Sequence, residues 1–344
     1  MTGKAGKSGK GRWLAAGLAA LTLSLGCVGS ARADVSLLNV SYDVTRELYK
    51  DINTSFVAAY RQKTGETVSI RQSHGASSAQ ALSVTQGLQA DVVTTKQPND
   101  IDLPPERCQF VPANWRTRLP NSSAPYTTTM VFLVRKGNPK HIKDWDDLAK
   151  PGVQVVIANP KTSGNGRYAY LAAWGYRKQH GGTDAQALDF EKAIFRNVPV
   201  LDTGGRGATT TFTQRNIGDV LVTFENEVSL IASGVGADSF EAVYPSISLL
   251  AEPPVTLVDK VVDRRGTRKE AQAYLAYLYS PAAQEIIAQH HLRPRDAGVL
   301  AKHASEFKPL KTFTVEQEFG SWQKAQQTHF SDGGTFDQII VDRK

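Results

Sequence analysis

The sequence predicts an α/β protein of two doubly wound lobes, joined by crossover strands, with a ligand cleft between them. Three observations carry this. Short apolar runs alternate with helix-forming segments in a βαβαβ rhythm, the pattern of a mainly parallel sheet covered on both faces. The 311 residues that follow an export-like leader exceed what one hydrophobic core ordinarily serves. Four strand-to-helix junctions are built of small or short polar residues, which leave backbone N–H groups free at a helix start.

Residues 1–33 read as a secretory signal: Lys4, Lys7, Lys10 and Arg12 precede an apolar stretch from Leu14 to Leu25, and Ala31-Arg32-Ala33 is a small-x-small cleavage site. The apolar stretch is too short to span a bilayer. Lipoprotein processing at Cys27 is the other possibility, but Ser24 stands where a large aliphatic residue is usual. The leader carries five of the 40 Lys and Arg and none of the 33 acidic residues, so the remainder has a net charge of only +2. No nucleic-acid partner is implied. Loss of Cys27 with the leader leaves Cys108 alone, so no intrachain disulfide forms. An exported chain without disulfides suits a bacterial periplasm. The expected division is a signal at 1–33, a first part of lobe 1 at 34–125, lobe 2 at 126–253, and a return to lobe 1 with a C-terminal tail at 254–344.

In order, Leu37 to Tyr42 reads as a strand, and Asp43 as the N-cap of a helix that Thr64-Gly65 stops. Val68-Ser69-Ile70 is a short strand, Ser73 to Ser78 a small-residue turn opening a second helix, and Ala90 to Val93 a third strand. Thr127 to Arg135 is a long apolar strand crossing between lobes, and Asp144 to Leu148 a short helical turn. Val153 to Ala158 is a buried strand. It leads into Asn159-Pro160-Lys161-Thr162-Ser163-Gly164-Asn165-Gly166 and a helix from Tyr168. Asn197 to Leu201 reads as a strand entering the glycine-rich Asp202 to Gly207, and Asp219 to Phe224 as a strand before an apolar helix. Ser248 to Val262 is the extended second crossing. Glu270 to Gln289 is one helix, with Tyr274, Leu275, Leu278 and Ile286 facing the core. The tail from about Leu300 is left unplaced.

In open α/β sheets ligands bind beyond the carboxyl ends of strands. The junctions at Asp43, at Gly75 to Ser78, at Thr162 to Gly166 and at Gly204 to Gly207 would gather there as an anion site of neutral donors. No cofactor or metal is expected. The sequence has no Gly-x-Ser-x-Gly elbow, no His-Glu-x-x-His pair and no Walker loop. Ser163 has no evident base beside it. His74 reads as structural, His290-His291 as a helix-end feature, and Lys161 and Arg206 as solvated or paired with acids.

At these junctions the sequence resembles the periplasmic sulfate- and thiosulfate-binding proteins of ABC importers. The resemblance rests on Asn39-Val40-Ser41-Tyr42-Asp43-Val44-Thr45-Arg46, Arg71-Gln72-Ser73-His74-Gly75, Ala90-Asp91-Val92-Val93-Thr94 and Leu133-Val134-Arg135-Lys136-Gly137-Asn138-Pro139. It continues through Asn159-Pro160-Lys161-Thr162-Ser163-Gly164, Arg206-Gly207-Ala208-Thr209-Thr210-Thr211-Phe212 and Ile247 to Pro254. The resemblance implies a type II periplasmic binding-protein fold holding a dehydrated oxyanion. Its donors would be the backbone N–H groups of Asp43, Ser77, Gly164, Asn165 and Gly205 and the hydroxyl of Ser163. Sulfate-selective members have a Trp where this chain has Phe224, Gly at Asn165 and Ala at Gly205, so the thiosulfate-binding branch is the nearer likeness. Thr95 to Cys108 departs from the sulfate-binding pattern.

The expected protein is therefore a monomeric periplasmic receptor, not an enzyme, that delivers thiosulfate or sulfate to a membrane permease. The alternatives are a receptor for phosphate or molybdate on the same fold, and a secreted hydrolase of phosphate or sulfate esters.

Overall fold

The computed structural model describes residues 34–102, 111–233 and 237–341. The expected leader at 1–33 and Cys108 lie outside these residues. The chain opens with β1 (Val35–Tyr42), a 3-10 turn (Asp43–Thr45), α1 (Arg46–Thr64), β2 (Val68–Gly75), α2 (Ser77–Thr85) and β3 (Val92–Thr94). A short α3 (Pro120–Ser123) precedes β4 (Tyr126–Arg135), α4 (Trp145–Leu148), β5 (Val155–Val156), α5 (Gly164–Gln179) and α6 (Asp184–Arg196). Next come α7 (Gly205–Thr213), β6 (Val220–Phe224), α8 (Glu225–Ser233), β7 (Phe240–Val243), β8 (Ile247–Ala251) and β9 (Val255–Leu257). The remainder is α9 (Asp259–Arg265), α10 (Arg268–Tyr277), α11 (Pro281–Gln289), β10 (Arg293–Pro294), α12 (Ala297–Lys302), β11 (Lys311–Phe313), α13 (Val315–Phe319), α14 (Trp322–Ala325) and α15 (Thr335–Val341).

Two sheets organise the two lobes. The first has the order β2-β1-β3-β9, with β1 parallel to β2 and β3, and β9 antiparallel to β3. Leu48, Tyr49, Ile52, Phe56 and Tyr60 recur at helical spacing along α1 and bury against Leu37, Val68, Val92 and the return helix residues Tyr274, Leu275 and Leu278. Gly65 ends α1 in the left-handed region (φ +73°), its N–H donating to the Arg61 carbonyl at 2.8 Å. Fully buried Asp91 ties the returning chain to β1. It accepts from Leu38 N–H (2.7 Å) and Thr267 Oγ1 (2.5 Å), and it pairs with Arg265.

The second sheet runs β11-β8-β4-β6-β5, with β7 and β10 also on β4. Alternate residues of its strands point to opposite faces. Phe132, Val134, Val220 and Val222 pack under α5 and α6, while Val131, Leu133 and Leu221 pack under α7 and α8 through Ala208, Phe212 and Val228. The crossing is visible on β4 itself: Tyr126 belongs to the first lobe's core, and Met130 onward to the second's. The unplaced tail joins the second sheet, where β11 pairs with β8, and Phe319, Trp322, Phe330, Phe336 and Ile339 enter the core beneath α5.

Several expectations are corrected. Asp43 is not a cap: Tyr42 holds that position for the 3-10 turn and Thr45 for α1, and among the described residues the Asp43 carboxylate accepts from its neighbour Val44 N–H (3.1 Å) and Lys96 Nζ (3.4 Å). The second strand runs on to Gly75, because its parallel pairing with β1 continues to the Tyr42–Gly75 register. Asn197 to Leu201 is no strand. It gives β5 one bond, from Val155 N–H to the Asn197 carbonyl (2.9 Å), and Pro199 has no N–H to extend a ladder. The second crossing stops being extended at Leu257, with α9 following. The long helix breaks where Ser280 caps α11 and Pro281 takes its first turn. Ile286 does pack against the first lobe's core, though only half-buried, and Ile287 beside it is fully buried in the same core.

Candidate functional site

The start of α5 is assembled by its own loop. Asn159 knits the turn: its carbonyl accepts from Thr162 and Ser163 N–H (3.1 and 2.9 Å), and its Oδ1 accepts from Lys161 N–H (2.9 Å). Ser163 is the N-cap, its Oγ accepting from Gly166 N–H at 3.5 Å and its carbonyl from Arg167 N–H at 3.0 Å. No acceptor among the described residues takes the N–H of Gly164 or Asn165, and the Ser163 hydroxyl proton is also uncommitted. A Cβ at Gly166 would stand 2.2 Å from the Ala158 carbonyl oxygen, so only glycine lets the helix start this close to the strand it leaves.

Two further helices begin nearby, and unlike α5 neither has a side-chain cap. At α2 the Ser77 hydroxyl is already spent, donating to Asp100 Oδ2 (2.5 Å) and accepting from Lys96 N–H (3.0 Å). Ser77 therefore has only its backbone N–H to offer. At α7 the cap position is Gly204; a Cβ at Gly205 would meet the Asn165 side chain at 3.2 Å, and one at Gly204 would lie 3.8 Å from Asp43 Oδ2. The open starts of α5 and α7 thus abut each other and the Asp43 turn.

One residue links all of these, and the junction reading did not name it. Lys96 stands two residues beyond β3, at the carboxyl end of the strand, and is 2% exposed. Its Nζ lies 3.4 Å from Asp43 Oδ1, 5.3 Å from the Tyr42 ring centroid and 5.7 Å from that of Phe224. Its stem packs against Gly164, its N–H reaches Ser77, and its carbonyl accepts from Tyr168 OH (3.1 Å). Asp43, Ser77, Ser163, Gly164, Asn165, Gly205 and Phe224 are therefore brought together from both lobes. A buried ammonium, which the expectation of neutral donors did not include, sits among them.

A second charge lies behind the first. Glu227 Oε2 accepts from Thr223 Oγ1 (2.5 Å) and Asn165 Nδ2 (3.3 Å), and Asn165 Nδ2 also donates to Thr223 Oγ1 (2.8 Å). The Asn165 amide is thus turned inward, which leaves its backbone N–H as the outward donor. Burial pushes the Glu227 carboxyl above the usual range, against the pull of Lys96 and Thr223. Burial likewise raises Asp100, opposed by its bond from Ser77 and by Arg167. Arg167 crosses the cleft: Nε and Nη2 donate to the carbonyls of Pro160 (3.0 Å) and Lys161 (3.2 Å), and Nη1 to Ser78 Oγ (3.4 Å) in the other lobe.

The remaining singled-out residues fall outside this group. His74 bonds Ser41 Oγ (2.6 Å) and Gln72 Oε1 (2.5 Å), a structural role, and burial lowers its pKa. His290 ends α11 and pairs with Asp51 at 2.8 Å. Lys161 turns away to the tail, donating to the Phe330 and Ser331 carbonyls (both 3.1 Å) and to Asp337 (2.9 Å). Arg206 is exposed at the rim.

Residues 45–293 match the family described as bacterial extracellular solute-binding protein. The chain is 56% identical over 328 residues to a thiosulfate-binding protein of Pseudomonas aeruginosa, covering 95% of this chain and 98% of that one. It is 55% identical over 320 residues to a sulfate-binding protein of Escherichia coli K12, covering 93% and 97%. The solved structure of a sulfate-binding protein from Mycobacterium tuberculosis aligns with a TM-score of 0.76 at 28% identity, over 85% of this chain and 98% of that one.

Proposed function

The chain belongs to the bacterial extracellular solute-binding proteins, and from that premise we propose that it is a periplasmic receptor for thiosulfate and sulfate that serves an ABC-type permease. The observation that carries this reading is the convergence of three open helix starts and the Asp43 turn on one point between the lobes. Each start offers backbone N–H groups and a positive dipole end, the arrangement that replaces an anion's water. The proposed donors are the N–H groups of Asp43, Ser77, Gly164, Asn165 and Gly205 and the Ser163 hydroxyl. At roughly 1.5–3 kcal/mol for each bond to a charged group, half a dozen donors support micromolar or tighter binding after ordering costs.

Phe224 is the basis for placing thiosulfate at least level with sulfate. Its ring is 2% exposed and donates no conventional hydrogen bond, and it offers an apolar wall to the one sulfur that replaces an oxygen. Export through a cleaved leader at residues 1–33 and binding without turnover belong to the same reading. Calorimetric titration with thiosulfate, sulfate, phosphate and molybdate tests it. Saturable binding of the first two, with a chromogenic phosphate or sulfate ester left intact, is the expected result. One observation favours a second reading, hydrogenphosphate: the carboxylates of Asp43 and Glu227 border the donors and would accept a ligand proton. Phosphate binding tighter than either sulfur anion would select it.

A further inference from the structure

We propose that the Lys96 ammonium contacts the bound anion directly, giving this receptor one cationic donor among its neutral ones. The inference rests on the cleft being an oxyanion site, and it adds a charge-bearing residue that sets how strongly that site holds its ligand. A lysine ammonium has three N–H donors. Among the described residues, the hydrogen bond of Lys96 Nζ is the long one to Asp43 Oδ1, at 3.4 Å, with the lysine side chain only 3% exposed. The faces of Tyr42 and Phe224 lie alongside without accepting a conventional bond. A buried ammonium with donors to spare is costly unless something negative completes it.

The direction of the side chain says where that partner belongs. The Lys96 stem lies against Gly164, where a Cβ would stand 3.3 Å from both its Cβ and Cδ, so the chain runs past the open start of α5. Its charged end then lies beside Asp43 and over Phe224, among the donors proposed for the anion. The charges around it fit the same role. Asp43 and Glu227 would both repel a dianion, and Arg206, the other cation near Glu227, is exposed at the rim. Lys96 is the buried cation that offsets them, and its charge opposes the rise that burial imposes on the Glu227 carboxyl.

A lysine in this position has one opposite role: a tethered cation that occupies the anion's place and must be displaced. The two roles predict opposite signs. Thiosulfate and sulfate are titrated into wild type, Lys96→Met and Lys96→Gln, and ligand-free melting is recorded for each. Direct contact predicts that Lys96→Met weakens both anions by about tenfold or more, since a bond to a charged group is lost. Lys96→Gln, which keeps one donor without the charge, should fall between. Ligand-free melting shows that each variant folds, since the substitution also takes the cation away from Asp43 and Glu227. Unchanged or tighter binding in either folded variant overturns the proposal. Failure of wild type to bind any sulfur oxyanion would instead overturn the receptor reading, whatever the variants do.

Discussion

Ser163 has two roles in the structure, and a pair of substitutions separates them. Its oxygen accepts from Gly166 N–H at 3.5 Å, while its proton is free to reach outward. At that distance the cap is weak. Ser163→Ala should therefore cost near the low end of the ~0.5–2 kcal/mol range for a lost N-cap. In a chain of this size, that is about 2 °C of melting temperature or less. Glycine serves almost as well as a cap, so Ser163→Gly should cost only a few tenths of a kcal/mol.

Affinity should behave differently. Both variants lose the same outward donor, and a bond to an anion has no replacement in a dehydrated site. The expected loss is about 1–3 kcal/mol, or roughly 5- to 150-fold in dissociation constant, equal in the two variants. Calorimetry with thiosulfate, alongside ligand-free melting, reads both quantities. If affinity falls only where melting falls, the hydroxyl matters solely as a cap. If both variants bind as wild type, the α5 start does not hold the ligand through Ser163 at all.

Phe224→Trp should move the sulfate-to-thiosulfate ratio toward sulfate by about 1 kcal/mol or more, since an indole N–H rewards an oxygen that phenyl cannot; titrating both anions into the variant checks it. Arg167→Met removes the bond to Ser78 Oγ across the cleft and the clasp on the Pro160 and Lys161 carbonyls. Its loss should weaken thiosulfate by about tenfold, chiefly through faster dissociation measured by stopped flow. His329 is buried against Trp174 and bonded to Tyr170 OH (2.9 Å), and burial lowers its pKa to about 4 from 6.5. Below pH 6.5 the unfolded chain takes up a proton that the folded one refuses, so stability should fall as pH drops toward 4, by up to about 3 kcal/mol. Urea midpoints at pH 7 and 4.5 should show that loss in wild type and not in His329→Gln.

The first lobe was legible because its alternation is clean and its stops are strong: β1, α1, β2, α2 and β3 follow apolar runs and Gly65. In the second lobe β4, α4, β5, α5, β6 and α8 were legible as well, and the elements that did not show failed to for identifiable reasons. The α6 helix was announced by a capping box that the reading passed over, Thr183 and Gln186 exchanging bonds at its start. The tail is a set of helices four to seven residues long, which have little stability of their own and stand because Phe319, Trp322 and Phe336 dock into the second core. The candidate site was legible wherever glycine and serine mark a helix start. Lys96 carries no such mark, being long and charged where the other junction residues are small. The rule that ligands lie beyond strand carboxyl ends applies to β3 as much as to β1, and it would have pointed to the stretch after Thr94.

The bonds that join the lobes at the cleft are few and ordinary. Tyr168 OH donates to the Lys96 carbonyl, Arg167 to Ser78 Oγ, and Asn99 Nδ2 to the Trp322 carbonyl (3.0 Å). The two neutral bonds contribute about 1 kcal/mol each after water is counted, and the guanidinium bond, long at 3.4 Å, roughly 1.5–3 kcal/mol at most. The proposed anion donors are divided between the lobes, with Asp43, Ser77 and Lys96 on one side and Ser163, Gly164, Asn165 and Gly205 on the other. An anion held by one lobe alone forgoes three or four charge-assisted bonds, together worth roughly 5–12 kcal/mol. Driving a two-state equilibrium from 1:99 to 99:1 takes a differential of only about 5.5 kcal/mol. On this arithmetic the anion is the main latch and the protein–protein bonds are the lesser one. Arg167→Met should then speed release without abolishing capture, whereas loss of the donors at Ser163 or Lys96 should lower capture itself.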